Sequence, residues 1–227
     1  MNIQSILFIC NDFARAKFTL ENFSRWNPEI PITIINSGGE CPKPHLSHIK
    51  NTQFTDAPNL WHKKTHCGKG SFDFRFFEYL FKLGSNNSYS HTLLLETDVL
   101  TNRKITKIPL YDISGVTNFG GDENVYKYLN LNSNRLHSGC GGTIFSTDYF
   151  NKIIKSNNYY LFKHLFEKFP QYYYADFIST IVGLASGCSL GNWQEVSETK
   201  PYSAIENGNI YTKNPDVNAT LVHNFKV

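Results

Sequence analysis

Ser5-Ile6-Leu7-Phe8-Ile9-Cys10 is a nearly unbroken apolar run that ends on a polar pair, Asn11-Asp12. A run without alternation fits a parallel strand covered on both faces, which ties the chain to a layered α/β architecture. Asn11 and Asp12 can cap the helix that follows. Its Phe13, Leu20 and Phe23 fall on one face, and Asn27-Pro28 stops it. Ile32-Thr33-Ile34-Ile35 makes a second strand, and Asn36-Ser37-Gly38-Gly39 is a sharp turn at its carboxyl end. This is one βαβ unit. In open α/β sheets, ligands bind just beyond the carboxyl ends of such strands.

Downstream, residues 41–70 read as irregular, broken by Pro42, Pro44 and Pro58, with room for short strands or a half-turn. A helix is expected over 71–83, closed by Gly84. Thr92-Leu93-Leu94-Leu95 is a buried strand running into Glu96-Thr97-Asp98. Further strands are expected near 111–116 and at Thr143-Ile144-Phe145, and helices over 148–155, 159–169 and 177–185. The end reads as loop-rich, with a short strand at 220–222. No repeat or linker divides the chain, and 227 residues suffice for one substantial core but fall short of two. The expectation is therefore a single α/β domain over 1–227. Its central sheet is mixed, mainly parallel and flanked by helices, with the site at the carboxyl edge.

Composition excludes some partners. A net charge of +3, from scattered basic residues, lacks the concentrated stripe that nucleic-acid binding needs. With 15% aromatic residues, part of that surplus can line a ligand cleft. Five cysteines at positions 10, 41, 67, 140 and 188, without a CxxC pair, suit reduced thiols and a cytoplasmic setting. The first residues lack a leader's apolar core, and no stretch approaches the roughly 20 apolar residues that span a bilayer. The sequence thus predicts no membrane span. Asn22, Asn86 and Asn218 open Asn-X-Ser/Thr triplets that an Asn-rich chain produces by chance.

Four segments could carry chemistry. Glu96 and Asp98, at i and i+2 where a buried strand ends, can point together into the crevice; a divalent ion with oxygen ligands would stabilise such a pair. A strand that simply ends in solvent carries such acids too. His223, after an apolar pair and three residues before Lys226, could supply a metal nitrogen and a cation for phosphate, or could be a surface residue beside a frayed tail. Ser138-Gly139-Cys140-Gly141-Gly142-Thr143 lets something approach its backbone closely or makes a tight turn, and lacks the Gly-Lys-Ser/Thr of a phosphate loop. Cys140 reads better as a buried thiol than as a nucleophile. Asp176, after Tyr172-Tyr173-Tyr174-Ala175, is either a helix cap or an acid that orients an acceptor hydroxyl.

Taken in order, these segments resemble GT-A-type glycosyltransferases over nearly the whole chain. Phe8-Ile9-Cys10-Asn11-Asp12 and Ile34-Ile35-Asn36-Ser37-Gly38 are similar to the family's two nucleoside-binding strand ends. Leu94-Leu95-Glu96-Thr97-Asp98 resembles its DxD motif, His137 through Phe145 its acceptor-side segment, and Asp176 the acid before the next helix. His223 and Lys226 resemble the late metal-binding His and phosphate-binding Lys of the retaining branch, although the usual Gly and Pro-Trp around them are absent. Compactness and composition also resemble the small glycosyltransferases of large algal viruses, which would work in the host cytoplasm.

The resemblance implies a GT-A-like (Rossmann-like) fold, a nucleoside diphosphate sugar donor, most often a UDP-sugar, a glycan acceptor, and Mn²⁺ or Mg²⁺. Residues 1–100 would form the nucleotide-sugar half and 101–227 the acceptor side. Asp98, Glu96 and His223 would hold the metal, with Glu96, the longer acid, able to reach the ribose or a metal-bound water instead. A His ligand tilts the choice toward Mn²⁺. The nucleoside would lie against Asp12 and Asn36, Ser37 and Gly38, with Lys69, Arg75 and Lys226 as phosphate contacts. Asp176 would serve the acceptor, bordered by Gly139, Cys140, Gly141 and Gly142. As a ligand rather than a structural residue, His223 should be dispensable for folding, so a chain ending at Leu221 should keep its stability. Activity should fall below about pH 6 as the imidazole protonates. Three other readings compete: a nucleotidyltransferase making nucleotide sugars, a cysteine hydrolase using Cys140 and His223, and a glycan-binding module without catalysis.

Overall fold

The computed structural model describes residues 2–57, 75–86, 88–119, 123–131, 136–138, 141–169, 175–206 and 209–225. Strand β1 (Ile3–Ile9) leads through helix α1 (Phe13–Trp26) to β2 (Ile32–Asn36), the expected βαβ unit. A short helix α2 (Lys43–Leu46) and strand β3 (Thr52–Asp56) follow, then α3 (Arg75–Gly84) and β4 (His91–Leu95). The chain continues through β5 (Leu100–Thr101), β6 (Ile113–Gly115), β7 (Thr117–Phe119), α4 (Glu123–Tyr128), β8 (Leu136–Ser138) and β9 (Ile144–Ser146). Helices α5 (Thr147–Lys155), α6 (Tyr160–Lys168) and α7 (Ala175–Ala185) come next. The last strands are β10 (Leu190–Asn192), β11 (Val196–Glu198), β12 (Tyr202–Glu206), β13 (Asn209–Lys213) and β14 (Leu221–His223).

The main sheet has seven strands in the order β10-β6-β9-β4-β1-β2-β3. Only β9 runs against its neighbours, so the sheet is mixed and mainly parallel, as expected. Strand parity sorts its side chains into two cores. Ile6, Ile35, Leu94 and Phe145 pack with residues of α3, α5, α6 and α7 on one face. Leu7, Ile34, Leu93, Leu95 and Ile144 pack on the other, against Ala16, Leu20 and Phe23 of α1 and Leu46 of α2. That second core also takes in Val196 and Leu221, which belong to a separate three-stranded sheet, β11-β14-β5.

Two expectations need correction. Asp12 stands at the N-cap of α1 but makes no capping hydrogen bond, because its carboxylate faces Thr97 and Arg15 instead. Residues 52–56 form one of the short strands allowed for in 41–70, β3, a full parallel partner of β2. Its half-exposed Thr-Gln-Phe-Thr-Asp sequence lacks the apolar run of a buried strand, as expected where a strand forms a sheet edge. The loop-rich end holds more strand than expected too, including the antiparallel pair β12 and β13.

Candidate functional site

The carboxyl ends of β4, β1, β2 and β3 lie side by side along one edge of the sheet. At the β1 end the chain turns sharply. Asn11 is left-handed (φ 59°), and its Oδ1 accepts a hydrogen bond from the Glu40 amide at 2.8 Å. Gly39 opposite has φ 82°, and a Cβ there would meet the Asn11 side chain at 2.1 Å. This close approach holds the β1 and β2 turns together and requires glycine. Ser37 reinforces the same junction, its hydroxyl donating to the Ile9 carbonyl at 2.8 Å. Asn36 is already occupied: its amide donates to Asp56 Oδ1 at 3.2 Å, while its oxygen accepts the Gly38 amide at 3.2 Å. Asp56, at the end of β3, therefore joins this side of the sheet edge.

On the other side, β4 ends at Leu95 and the chain turns through Glu96-Thr97-Asp98 before β5. Thr97 ties this turn to the first strand end, donating to Asp12 Oδ2 at 3.4 Å and accepting from Thr19 Oγ1 at 2.9 Å through its carbonyl. His223 arrives from β14, which pairs with β5 on one side and β11 on the other. Its Nε2 lies 3.2 Å from Glu96 Oε2 and 3.7 Å from Asp98 Oδ1. Glu96, Asp98 and His223 can each offer one ligand atom, all within 4.8 Å of one another.

Electrostatics suit a cation between these groups. Asp98 Oδ1 is buried and accepts no hydrogen bond among the described residues. Burial raises the Asp98 pKa, the Glu96 charge adds to this, and His223 and Arg15 oppose it. Burial also works against a charged His223, but the hydrogen bonds it donates to Glu198 and Glu96 and the charges of Glu96 and Asp98 outweigh it, lifting its pKa to about 10. The protonated ring supplies the positive charge that these carboxylates require. One imidazole nitrogen and two carboxylates form a donor set that borderline divalent ions accept, so these residues fit a metal. Both ring nitrogens of His223 face carboxylates, which suits a ligand and argues against a partner for a reactive thiol.

The glycine turn serves the histidine. A Cβ on Gly141 would lie 2.1 Å from His223 Cδ2, so only glycine leaves the ring its place. Gly142, at φ 81°, donates its amide to the Leu94 carbonyl at 3.0 Å, and a Cβ there would meet Val196 Cγ2 at 2.6 Å. Gly141 thus borders the metal-capable cluster, and Gly142 packs against β11 and β14 beside it. Gly139, Cys140, Lys69 and Lys226 lie outside the described residues. Arg75 opens α3 and Asp176 falls within the first turn of α7, with side chains outside the described residues.

Sequence reasoning missed three residues. Glu198 sits opposite His223 in the parallel register of β11 and β14, its Oε1 3.3 Å from Nδ1. Thr97 was passed over between two acids. Arg15, in the first turn of α1, lies 3.9 Å from Asp12, and its charge reaches Asp98. Only Thr97 carried a signal, its place inside an acid-x-acid triplet; Glu198 depends on a pairing that no local pattern announces.

No protein-family model matches the chain, and no curated protein matches it by sequence. Solved structures match it in fold. Galactosyltransferase LgtC, complexed with donor and acceptor sugar analogues, aligns with a TM-score of 0.55 at 12% identity, covering 86% of this chain and 75% of that one. An active-site mutant of LgtC reaches 0.59 at 11% identity over 97% of this chain and 86% of its own. Core-mannan synthase A of Aspergillus fumigatus, in its Mn/GDP form, gives 0.55 at 12% identity over 86% and 73%. The chain therefore shares the α/β fold of these GT-A transferases.

Proposed function

We propose that this protein is a metal-dependent glycosyltransferase that moves a sugar from a nucleoside diphosphate donor, a UDP-sugar by preference, onto a glycan hydroxyl. The observation that carries the reading is the convergence of Glu96, Asp98 and His223 beyond the carboxyl end of β4. It is supported by the shared fold, and by neighbours described as bound to donor and acceptor sugar analogues or to Mn and GDP. A divalent ion, Mn²⁺ before Mg²⁺, would neutralise charge developing on the departing diphosphate. Asp98, whose buried Oδ1 accepts no hydrogen bond among the described residues, is the first ligand to expect, and Glu96 and His223 complete the set.

The chain's own residues divide the rest of the work. Asp12, held by Thr97 at the β1 end, and Gly38, held by Asn36 at the β2 end, bound the place of the nucleoside. Asn36 then acts chiefly by steadying Asp56 and the Gly38 turn. Arg15 joins Lys69, Arg75 and Lys226 as a cation for the diphosphate. Asp176, with Gly139 and Cys140, is assigned to the acceptor. Residues 1–100 thus handle the donor and 101–227 the acceptor, with His223 crossing over to complete the donor site. The likeness of His223 and Lys226 to the retaining branch extends the reading to retained anomeric configuration. The dispersed cysteines suit a reducing, cytoplasmic setting, and Cys10, Cys41 and Cys188 are free thiols. No helix among the described residues is long and apolar enough to cross a membrane.

The test is donor turnover. Incubated with UDP-sugars and Mn²⁺, the protein should release UDP, and chelation should abolish release until Mn²⁺ is restored. Turnover that survives exhaustive chelation contradicts the metal-dependent reading.

A further inference from the structure

We propose that Glu198 is a positioning residue that presents His223 to the metal, an inference that rests on the metal-dependent reading above. An imidazole that ligates through one nitrogen carries its proton on the other, and the partner of that proton sets ring orientation and tautomer. Here the two nitrogens face different surroundings. Nε2 looks toward Glu96 and Asp98, at 3.2 and 3.7 Å. Nδ1 looks toward Glu198 Oε1 at 3.3 Å.

The parallel register of β11 and β14 places Glu198 directly beside His223, and both side chains are largely buried, at 13% and 11% exposure. Asn224 follows the histidine in the left-handed conformation (φ 58°), and its side-chain amide donates to Glu198 Oε2 at 3.3 Å. That amide also lies 3.3 Å from Nδ1, where it could donate only to an unprotonated nitrogen. A proton on Nδ1 excludes that bond and directs the amide to Glu198 instead. The opposite tautomer would set a lone pair of Nδ1 against a buried carboxylate, which is repulsive. Gly141 closes against the ring at Cδ2, leaving little room for it to turn. Glu198 therefore accepts the Nδ1 proton and leaves the Nε2 lone pair to the cation.

A purely structural role would make Glu198 a strut between β11 and β14. The backbone already supplies that link, since Thr199 donates its amide to the His223 carbonyl at 3.1 Å.

The experiment titrates Mn²⁺ alone, by electron paramagnetic resonance, into the wild type, Glu198→Gln, Glu198→Met and His223→Ala, with thermal unfolding recorded on the same samples. Gln keeps an oxygen for the Nδ1 proton, whereas Met keeps the length and offers none. Glu198→Met should bind Mn²⁺ about tenfold to a hundredfold more weakly, and Glu198→Gln should recover most of that loss. Wild-type binding by Glu198→Met, or equal losses in Gln and Met, overturns the positioning role while leaving the metal site standing. A wild type that binds no Mn²⁺, or binds it no better than His223→Ala, overturns the metal reading and this inference with it. Should Glu198→Met fail to fold, the wild type loaded with diamagnetic Zn²⁺ decides. Its imidazole ¹⁵N spectrum should show His223 protonated at Nδ1 and ligating through Nε2, and ligation through Nδ1 overturns the proposal.

Discussion

His223 lies nearly in contact with three carboxylates, and its proton does the work a cation would do there. Its folded pKa of about 10 lies above the ordinary value of 6.5. The charged ring therefore contributes stability that is fully present below pH 6.5 and is lost as pH rises through about 10. Without metal, the melting temperature should fall between pH 7 and 10 more steeply in the wild type than in His223→Gln. Identical slopes would contradict the coupling to Glu96, Asp98 and Glu198. A divalent ion must displace the same proton, so Mn²⁺ affinity should rise with pH over this range, by up to about tenfold per unit. The sequence-based expectation of activity failing only below about pH 6 moves upward accordingly.

Gly141 is the other decisive residue. A Cβ there would press on the His223 ring, which is backed by Glu198. Gly141→Ala should cost about 1–3 kcal/mol of stability by overpacking. It should also weaken Mn²⁺ binding about tenfold, the scale on which ligand orientation matters. Unchanged affinity, measured by calorimetry, would show that the ring has room to move.

At the scale of elements, the small sheet β11-β14-β5 builds the site. It brings Glu198, His223 and the approach to β5 together from positions some 25 to 127 residues apart. Glu195 braces it. Burial alone would raise the Glu195 carboxyl, but hydrogen bonds from Thr220, Thr106 and Lys107 outweigh it and hold the pKa below its ordinary value. Leu221–His223 are part of this sheet and Phe225 packs beyond it, contrary to the expectation of a dispensable tail. Val222 is 1% exposed, the Phe225 amide donates to the Asp98 carbonyl at 3.0 Å, and the Phe225 ring stacks on Phe18 of α1. A chain ending at Leu221 should therefore lose about 2 kcal/mol or more, on the burial of Val222 alone. Scanning calorimetry should register a drop of roughly 4–8 °C. An unchanged melting temperature would restore the view of the tail as a ligand carrier only.

The same elements show what was legible in the sequence. β1, β2 and β4 announce themselves because strands covered on both faces must be apolar at nearly every position, and α1 does so by its one apolar face. β3 does not, since an edge strand is free to be polar. The acid pair at 96 and 98 could be read as a site because it follows a buried strand. His223 was visible as a metal-capable residue, but its burial was not, because the pairing that buries it joins β14 to β5 and β11. Glu198 was invisible for the same reason.

Across the whole molecule, the parallel strand ends line up along the sheet edge from the metal-capable cluster past Asp12 to Asn36 and Asp56. The first half of the chain supplies the four parallel strand ends, and the second half returns to supply His223, Glu198 and the Gly141 turn. A nucleotide-sugar donor of the kind proposed would span these strand ends and touch both halves, with its diphosphate near a bound cation and Arg15. Binding of nucleotide and of metal should therefore depend on each other. The most direct measurement is calorimetric titration of UDP with and without Mn²⁺, in the wild type and in Asp98→Asn. The account predicts UDP binding at least about tenfold tighter with Mn²⁺, a gain of about 1.4 kcal/mol, and the loss of that gain in Asp98→Asn. Equal UDP affinity in both proteins, with and without the metal, would contradict it.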